Sequence, residues 1–169
     1  MEHTVSLDQM DERLLALLEE NARYTDAELA TMLGRPEADV KASIDALEAA
    51  GFIRGYKTLV DWERVDNHHV TAIIELKVTP QADAGFEEIA ERVMGFEHVE
   101  AVYLMSGGYD LCVIVTGQTF QKVAMFVAKR LATIPEVVST ATHFVLRRYK
   151  DMGVEMCDVT GDDRGNMSL

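Results

Sequence analysis

The sequence predicts an α+β fold in two parts, a helical N-terminal domain followed by a mixed strand-and-helix domain. Three observations carry that expectation. Apolar residues recur at helical spacing in three short segments before residue 52. After Asn67 the period changes to two. Glycines and capping residues then punctuate the chain in the order strand, helix, strand, strand, helix, strand.

The first helix is expected to start at a capping box of Ser6 and Gln9, each side chain serving a free backbone N–H. Met10, Leu14, Leu17 and Leu18 form its apolar stripe, and it ends near Asn21-Ala22-Arg23. Arg23 is read as bonding helix ends. Thr25 and Glu28 repeat the capping signature for a short second helix with Leu29, Ala30 and Leu33 inside and Gly34 as its stop. Pro36 suits the first position of a third helix, where its missing N–H costs nothing. Val40, Ile44 and Leu47 mark that helix's buried face, and Gly51 is its C-terminal stop. Phe52 to Asp61 reads as an extended segment. Three short helices with a glycine turn between the second and third match a helix-turn-helix, whose third helix enters the major groove of DNA. Any small three-helix bundle would share these signals.

In the second part, Val70, Ala72, Ile74, Leu76 and Val78 alternate with Thr71, Glu75 and Lys77 as a strand with one buried face. Thr79-Pro80 ends it. Phe86, Ile89, Ala90, Val93 and Met94 have helical spacing, stopped by Gly95. Val99 to Met105 and Tyr109 to Thr116 read as two strands about a Ser106-Gly107-Gly108 turn. Phe120 to Ile134 is a longer amphipathic helix ending before Pro135, and Val138 to Leu146 a fourth strand. That order is the split arrangement of a ferredoxin-like βαββαβ fold, a four-stranded antiparallel sheet with both helices on one face. Thr140 and Thr142 share the parity of Phe144 and Leu146, which makes one sheet face a mixture of apolar and hydroxyl groups. A half-apolar second face is a reasonable dimer surface. The domains expected are 1–52 (helix-turn-helix), 53–66 (extended hinge), 67–150 (ferredoxin-like) and 151–169 (exposed tail).

Composition bounds the function. The 169 residues are 48% apolar and 27% charged, ordinary for a globular chain, but 16 basic and 29 acidic side chains give a net charge of −13. Charge alone argues against nucleic acid and against an anionic membrane. No apolar stretch reaches the roughly 18 residues of a membrane span, and Met-Glu-His-Thr does not begin a signal peptide. The two cysteines, Cys112 and Cys157, have no zinc or disulfide spacing, and Cys112 reads as a small buried hydrophobe. A cytoplasmic protein is expected. No nucleophile elbow, phosphate-binding glycine loop or metal-ligand spacing supports an enzyme. His68 and His69 face opposite ways and read as surface loop, His143 has no evident partner, and the nine methionines read as core filler.

The residues carry a resemblance across nearly the whole chain. Leu7-Asp8-x-x-Asp11 running into Leu14-Leu15, Asn21-Ala22-Arg23, Glu28-Leu29-Ala30, Leu33-Gly34 and Val40 to Tyr56 make the N-terminal part. Gly107-Gly108-Tyr109-Asp110-Leu111 and Thr140-x-Thr142 make the C-terminal part. Together they resemble the Lrp/AsnC family of leucine-responsive, feast/famine regulators. The resemblance implies a winged or ordinary helix-turn-helix joined to a small-molecule-binding α/β domain, dimers through the sheets, further assembly into octamers and an amino-acid effector. No cofactor or metal is expected. It makes the turn the sharper site. There Ser106, Gly107 and Gly108 allow close backbone approach to a carboxylate, Asp110 could accept from an α-ammonium, Tyr109 could cover the ligand, and Thr140 and Thr142 could add hydroxyls. A plain hairpin capped by Asp110 is the structural alternative.

One departure concerns the third helix. Family members carry several bases there, whereas Pro36 to Ala50 holds Glu37, Asp39, Asp45 and Glu48 against Lys41 alone, a net charge of −3. Glu37 and Asp39 suit the positive end of the helix dipole; Asp45 and Glu48 do not. The DNA-contact candidates are Arg35, Lys41, Ser43, Asp45, Arg54 and Lys57, with Lys41 turned away from the buried stripe. Solvated surface charge is the competing reading for Lys41, Arg54 and Lys57. Residues 1–66 carry 7 bases and 15 acids, so acidity concentrates in the domain assigned to DNA. The function expected is a DNA-binding transcriptional regulator on a palindromic operator, modulated by an amino acid or similar metabolite. The alternative is a metabolite-binding oligomer whose acidic helical domain has lost DNA affinity and serves assembly or protein contacts.

Overall fold

The computed structural model describes residues 7–65, 69–79 and 85–156. The chain divides into two compact units between Leu59 and Val60.

The first unit holds helices α1 (Gln9–Glu20), α2 (Asp26–Leu33) and α3 (Glu37–Ala49). The start of α1 corrects the sequence reading. Its N-cap is Asp8, whose Oδ1 accepts from the N–H of Met10 at 2.8 Å and of Asp11 at 2.7 Å. A short carboxylate caps as well as a hydroxyl and adds charge at the positive helix end; Ser6 lies outside the described residues. The Thr25–Glu28 box of α2 forms as expected, the Thr25 N–H donating to Glu28 Oε2 at 2.8 Å. That holds the Glu28 carboxyl below its ordinary range, first through the Thr25 backbone N–H and then through its hydroxyl. Gly34 ends α2 at φ +64. Pro36 stands one position before the first helical residue of α3, as its N-cap. At the other end Gly51, at φ +76, closes a Schellman turn: its N–H donates to Glu48 O and that of Phe52 to Leu47 O. Leu14, Leu18, Leu29, Ala30, Leu33, Val40 and Leu47 form the core between the helices. Full burial of one such leucine is worth about 1.5–3 kcal/mol. The segment after α3 pairs with no strand among the described residues.

The second unit begins with a short helix, α4 (Trp62–Val65), inside the segment expected to be extended. Then follow β1 (Val70–Val78), α5 (Gly85–Met94), β2 (Val99–Leu104), β3 (Leu111–Gly117), α6 (Phe120–Phe126) and β4 (Val137–Phe144). The sheet is antiparallel throughout in the order β2-β3-β1-β4, the ferredoxin-like arrangement. One helix differs from expectation: α6 passes at Val127 into a π-helical segment, Val127–Leu131, closed by the Ala132 N–H donating to Val127 O at 2.9 Å.

Register assigns the faces. Ile74 stands between Val113 and Thr142, and Leu76 between Leu111 and Thr140. Ile74, Leu76, Leu111 and Val113 are buried with Ile89, Val93, Val123 and Leu131 of the helices. Thr140 and Thr142 therefore lie on the helix-covered face at the β4 edge. The open face carries Ile73, Glu75 and Lys77 of β1, Cys112 and Ile114 of β3, and Ala141 and His143 of β4. His143, unpartnered in the sequence reading, meets Glu75 across the strands at 3.4 Å. The 9 residues of β1 alternate as expected except at Thr71, buried where Arg148 Nη2 donates to its hydroxyl at 2.6 Å.

Part of the stretch expected to be a tail is also ordered differently. Lys150–Asp151 pairs with Val154–Glu155 about a turn at Met152 (φ 46) and Gly153 (φ 85), the two positive φ values of a tight hairpin. Residues 157–169, including Cys157, lie outside the described residues, as does His68. Among the described residues no helix is long and apolar enough to cross a membrane.

Candidate functional site

In the helical unit, α3 buries Val40 and Leu47 and half-buries Ser43 and Ile44. Lys41 and Asp45 stand on its outer side, their side chains 66% and 63% exposed. They pair with each other across one helical turn, Lys41 Nζ to Asp45 Oδ1 at 3.9 Å. Such an exposed pair is worth about 0.3–0.5 kcal/mol, so Lys41 can leave it at small cost. Arg35 and Ser43 instead share a hollow of about 340 Å³ with Asp11 and Asp39. Ser43 is thus on the flank of the helix and not at its outermost ridge. Arg54 folds back so that its Nη1 lies 3.5 Å from where a side chain on Gly51 would begin. Lys57 is exposed.

Glu48, an unexplained acid in the sequence, has a use here: it accepts from the Tyr56 hydroxyl at 2.9 Å. Tyr56 ties the segment after α3 to the helix, and its phenol is raised above its ordinary value by burial and then by Glu48. Residues eight apart give no sequence signal for such a bond. The Lys41–Asp45 pair did have one, the helical i, i+4 spacing.

In the α/β unit, Ser106, Gly107 and Gly108 form the exposed turn between β2 and β3, with Gly107 at φ +139. Asp110 closes it. Its carbonyl accepts from Met105 N–H at 2.8 Å, its own N–H donates to Leu76 O at 3.0 Å, and its Oδ2 accepts from Val78 N–H at 2.8 Å. The side chain therefore holds the end of β1 against β3. A carboxylate has about four lone-pair sites, so one N–H leaves capacity for a ligand's ammonium group. Thr140 pairs with Leu76 from the other side, which brings Asp110 and Thr140 to flank the same end of β1. Tyr109 turns the other way. Burial, then the neighbouring Cys112 and Glu75 of the open face, raise its phenol. Burial likewise pushes the Cys112 thiol up, as expected of a buried thiol. Within one chain, then, Tyr109 and the Thr140–Thr142 pair sit on opposite faces, with Asp110 at the strand end between them.

The comparisons with known proteins agree with this architecture. Residues 7–48 match the AsnC-type helix-turn-helix domain and residues 71–155 the Lrp/AsnC ligand binding domain. An uncharacterised HTH-type transcriptional regulator of Bacillus subtilis, YugG, is 45% identical over 160 residues, covering 94% of this chain and 95% of the relative. The proline dehydrogenase transcriptional activator of Rhodobacter capsulatus is 28% identical, covering 83% of this chain and 90% of the relative. Among solved structures, the transcriptional regulator NMB0573 of Neisseria meningitidis in complex with L-Met superposes with a TM-score of 0.70 at 26% identity, covering 86% of this chain and 94% of that one. The chain belongs to the Lrp/AsnC family of helix-turn-helix transcriptional regulators.

Proposed function

We propose that this regulator binds DNA through the outer side of α3 and senses an amino acid at the turn 106–110. The observation that carries the effector half is the turn itself. Two exposed glycines stand beside a carboxylate fixed at the end of β1, in a domain matching a ligand-binding family. The L-Met bound by the Neisseria relative supports an amino acid as the ligand class. Backbone N–H groups of 106–108 would take the ligand's carboxylate and Asp110 its ammonium group. Tyr109 would cover it from the open face, and Thr140 and Thr142 would add hydroxyls from the helix side.

The DNA half has Lys41 as its groove contact, with Asp45 beside it and Ser43 on the flank. Arg35, Arg54 and Lys57 serve as phosphate contacts. The open sheet face, half apolar and half polar, supports a homodimer and further assembly to an octamer. A palindromic operator with half-sites about 34 Å apart suits a dimer. Ligand binding would change how dimers pack, and so how recognition helices are spaced, with a coupling of about 1–3 kcal/mol.

A thermal-shift panel of the twenty amino acids tests the effector half. A ligand at 100 times its dissociation constant stabilises by about 2.7 kcal/mol. At least one amino acid is expected to raise the melting temperature of the natural chain and to fail with Asp110→Ala. No shift with any of the twenty would overturn the site.

A further inference from the structure

At the end of β3 opposite the turn, a groove of about 1320 Å³ opens within the α/β unit. No part of the proposed regulator mechanism uses it. Its floor is apolar, from Val115, Val123 and Phe126, and Phe96 meets Phe126 edge to face at 5.5 Å. Trp62 forms a wall, stacked on His69 with ring centroids 5.5 Å apart and 43% exposed. Lys122, Lys129 and Arg130 line the groove, and Arg130 stands 5.9 Å from the Phe96 ring. Lys129 and Arg130 belong to the π-helical segment, a distortion that recurs at functional sites.

The charge here is the reverse of the rest of the chain. No aspartate or glutamate occurs between Asp110 and Glu136, while Lys122, Lys129 and Arg130 do, in a protein of net charge −13. Among the described residues, Glu97 is the one acid on the groove's lining. Low-dielectric walls with one sign of charge focus field toward an anion, and flat aromatic walls favour a planar ring. The three cations lie within nine residues of one helix. That suits a compact anion better than the extended phosphate run of a nucleic-acid strand. We propose that this groove binds a small planar aromatic anion, a ring joined to a carboxylate or phosphate, at a site separate from the amino-acid turn. The two sites are a strand length apart, roughly 20 Å for seven residues of β3.

Trp62 is the single tryptophan of the chain, so its emission reports this groove alone. The full chain would be titrated with adenosine monophosphate, benzoate, adenosine and inorganic phosphate. The expected result is saturable quenching by adenosine monophosphate or benzoate at concentrations at least tenfold below those at which adenosine or phosphate acts. Which of the two binds identifies phosphate or carboxylate as the anion. The surface variant Lys129→Gln with Arg130→Gln, checked for an unchanged circular dichroism spectrum, should weaken the response at least tenfold. Glu19→Gln, an exposed change in α1 and outside the groove's lining, should leave it within twofold. No saturable change with either ring-bearing anion, an equal response to adenosine, or full retention in the double variant would overturn the proposal.

Discussion

Helix α3 of the first unit and the α6–π-helical segment of the second both face solvent, yet their charges are opposite. Glu37 to Ala49 carries four acids and Lys41; Phe120 to Leu131 carries three bases and no acid. In α3 each charge has a local explanation: Glu37 and Asp39 at the helix start, Asp45 on Lys41, Glu48 on Tyr56. The bases of the second segment gather on one groove. The comparison teaches that net charge does not locate a binding surface; what matters is which charges are already occupied by neighbours.

The two units also differ in how they are held. Among the described residues, the helical unit has a core of seven buried residues closed by caps at the helix ends, whereas the α/β unit buries twice as many, from β1, β3 and the helical segments packed over them. The largest expected effect breaks this contrast open. Leu29→Ala removes a fully buried side chain and should cost about 2–5 kcal/mol, much of what a small domain has. Ile74→Ala costs a similar amount in the sheet. Calorimetry should show the first variant losing an early transition, and DNA binding with it, while the second keeps its helical unit.

Next in size is the charge of α3. Asp45→Arg removes the partner of Lys41 and adds a base, so DNA affinity should rise and its salt dependence steepen by about one to two phosphate contacts. Each such contact is worth roughly a threefold greater loss of affinity between 50 and 200 mM salt. Anisotropy titrations at the two salts read this directly; an unchanged slope would mean that the outer side of α3 does not meet DNA.

Smaller still is the cap of α2. Thr25→Ala should cost about 1 kcal/mol by thermal melting of the helical unit. The smallest effect is its acid dependence. Because the folded Glu28 carboxyl is held below its ordinary range, its contribution is fully present above that range and is lost as pH falls through the lowered value. Glu28→Gln should therefore flatten the acid limb of the helical unit's stability and leave the α/β unit unchanged.

The element order of both units was legible because periodicity and glycine stops act over a few residues. The Thr25–Glu28 box, Gly34, Gly51 and, apart from Thr71, the alternation of β1 formed as read. What was not legible depends on residues far apart in sequence. Asp110 holding Val78, Arg148 covering Thr71 and Tyr56 on Glu48 join residues 32, 77 and 8 apart. The placing of Thr140 and Thr142 under the helices needed the register of β4 on β1, which parity alone could not assign. The groove at Trp62 was missed for the same reason: its wall, floor and cations come from α4, β3 and α6, brought together only by the fold.

In the function proposed, α3 recognises DNA despite its acidity. Anisotropy of a labelled duplex from the protein's own upstream region, set against a random duplex of equal length at 50 and 200 mM salt, tests it most directly. At least tenfold preference for the upstream duplex is expected at both salts, with most of that preference lost in Lys41→Ala. Equal affinity for the two duplexes would contradict it.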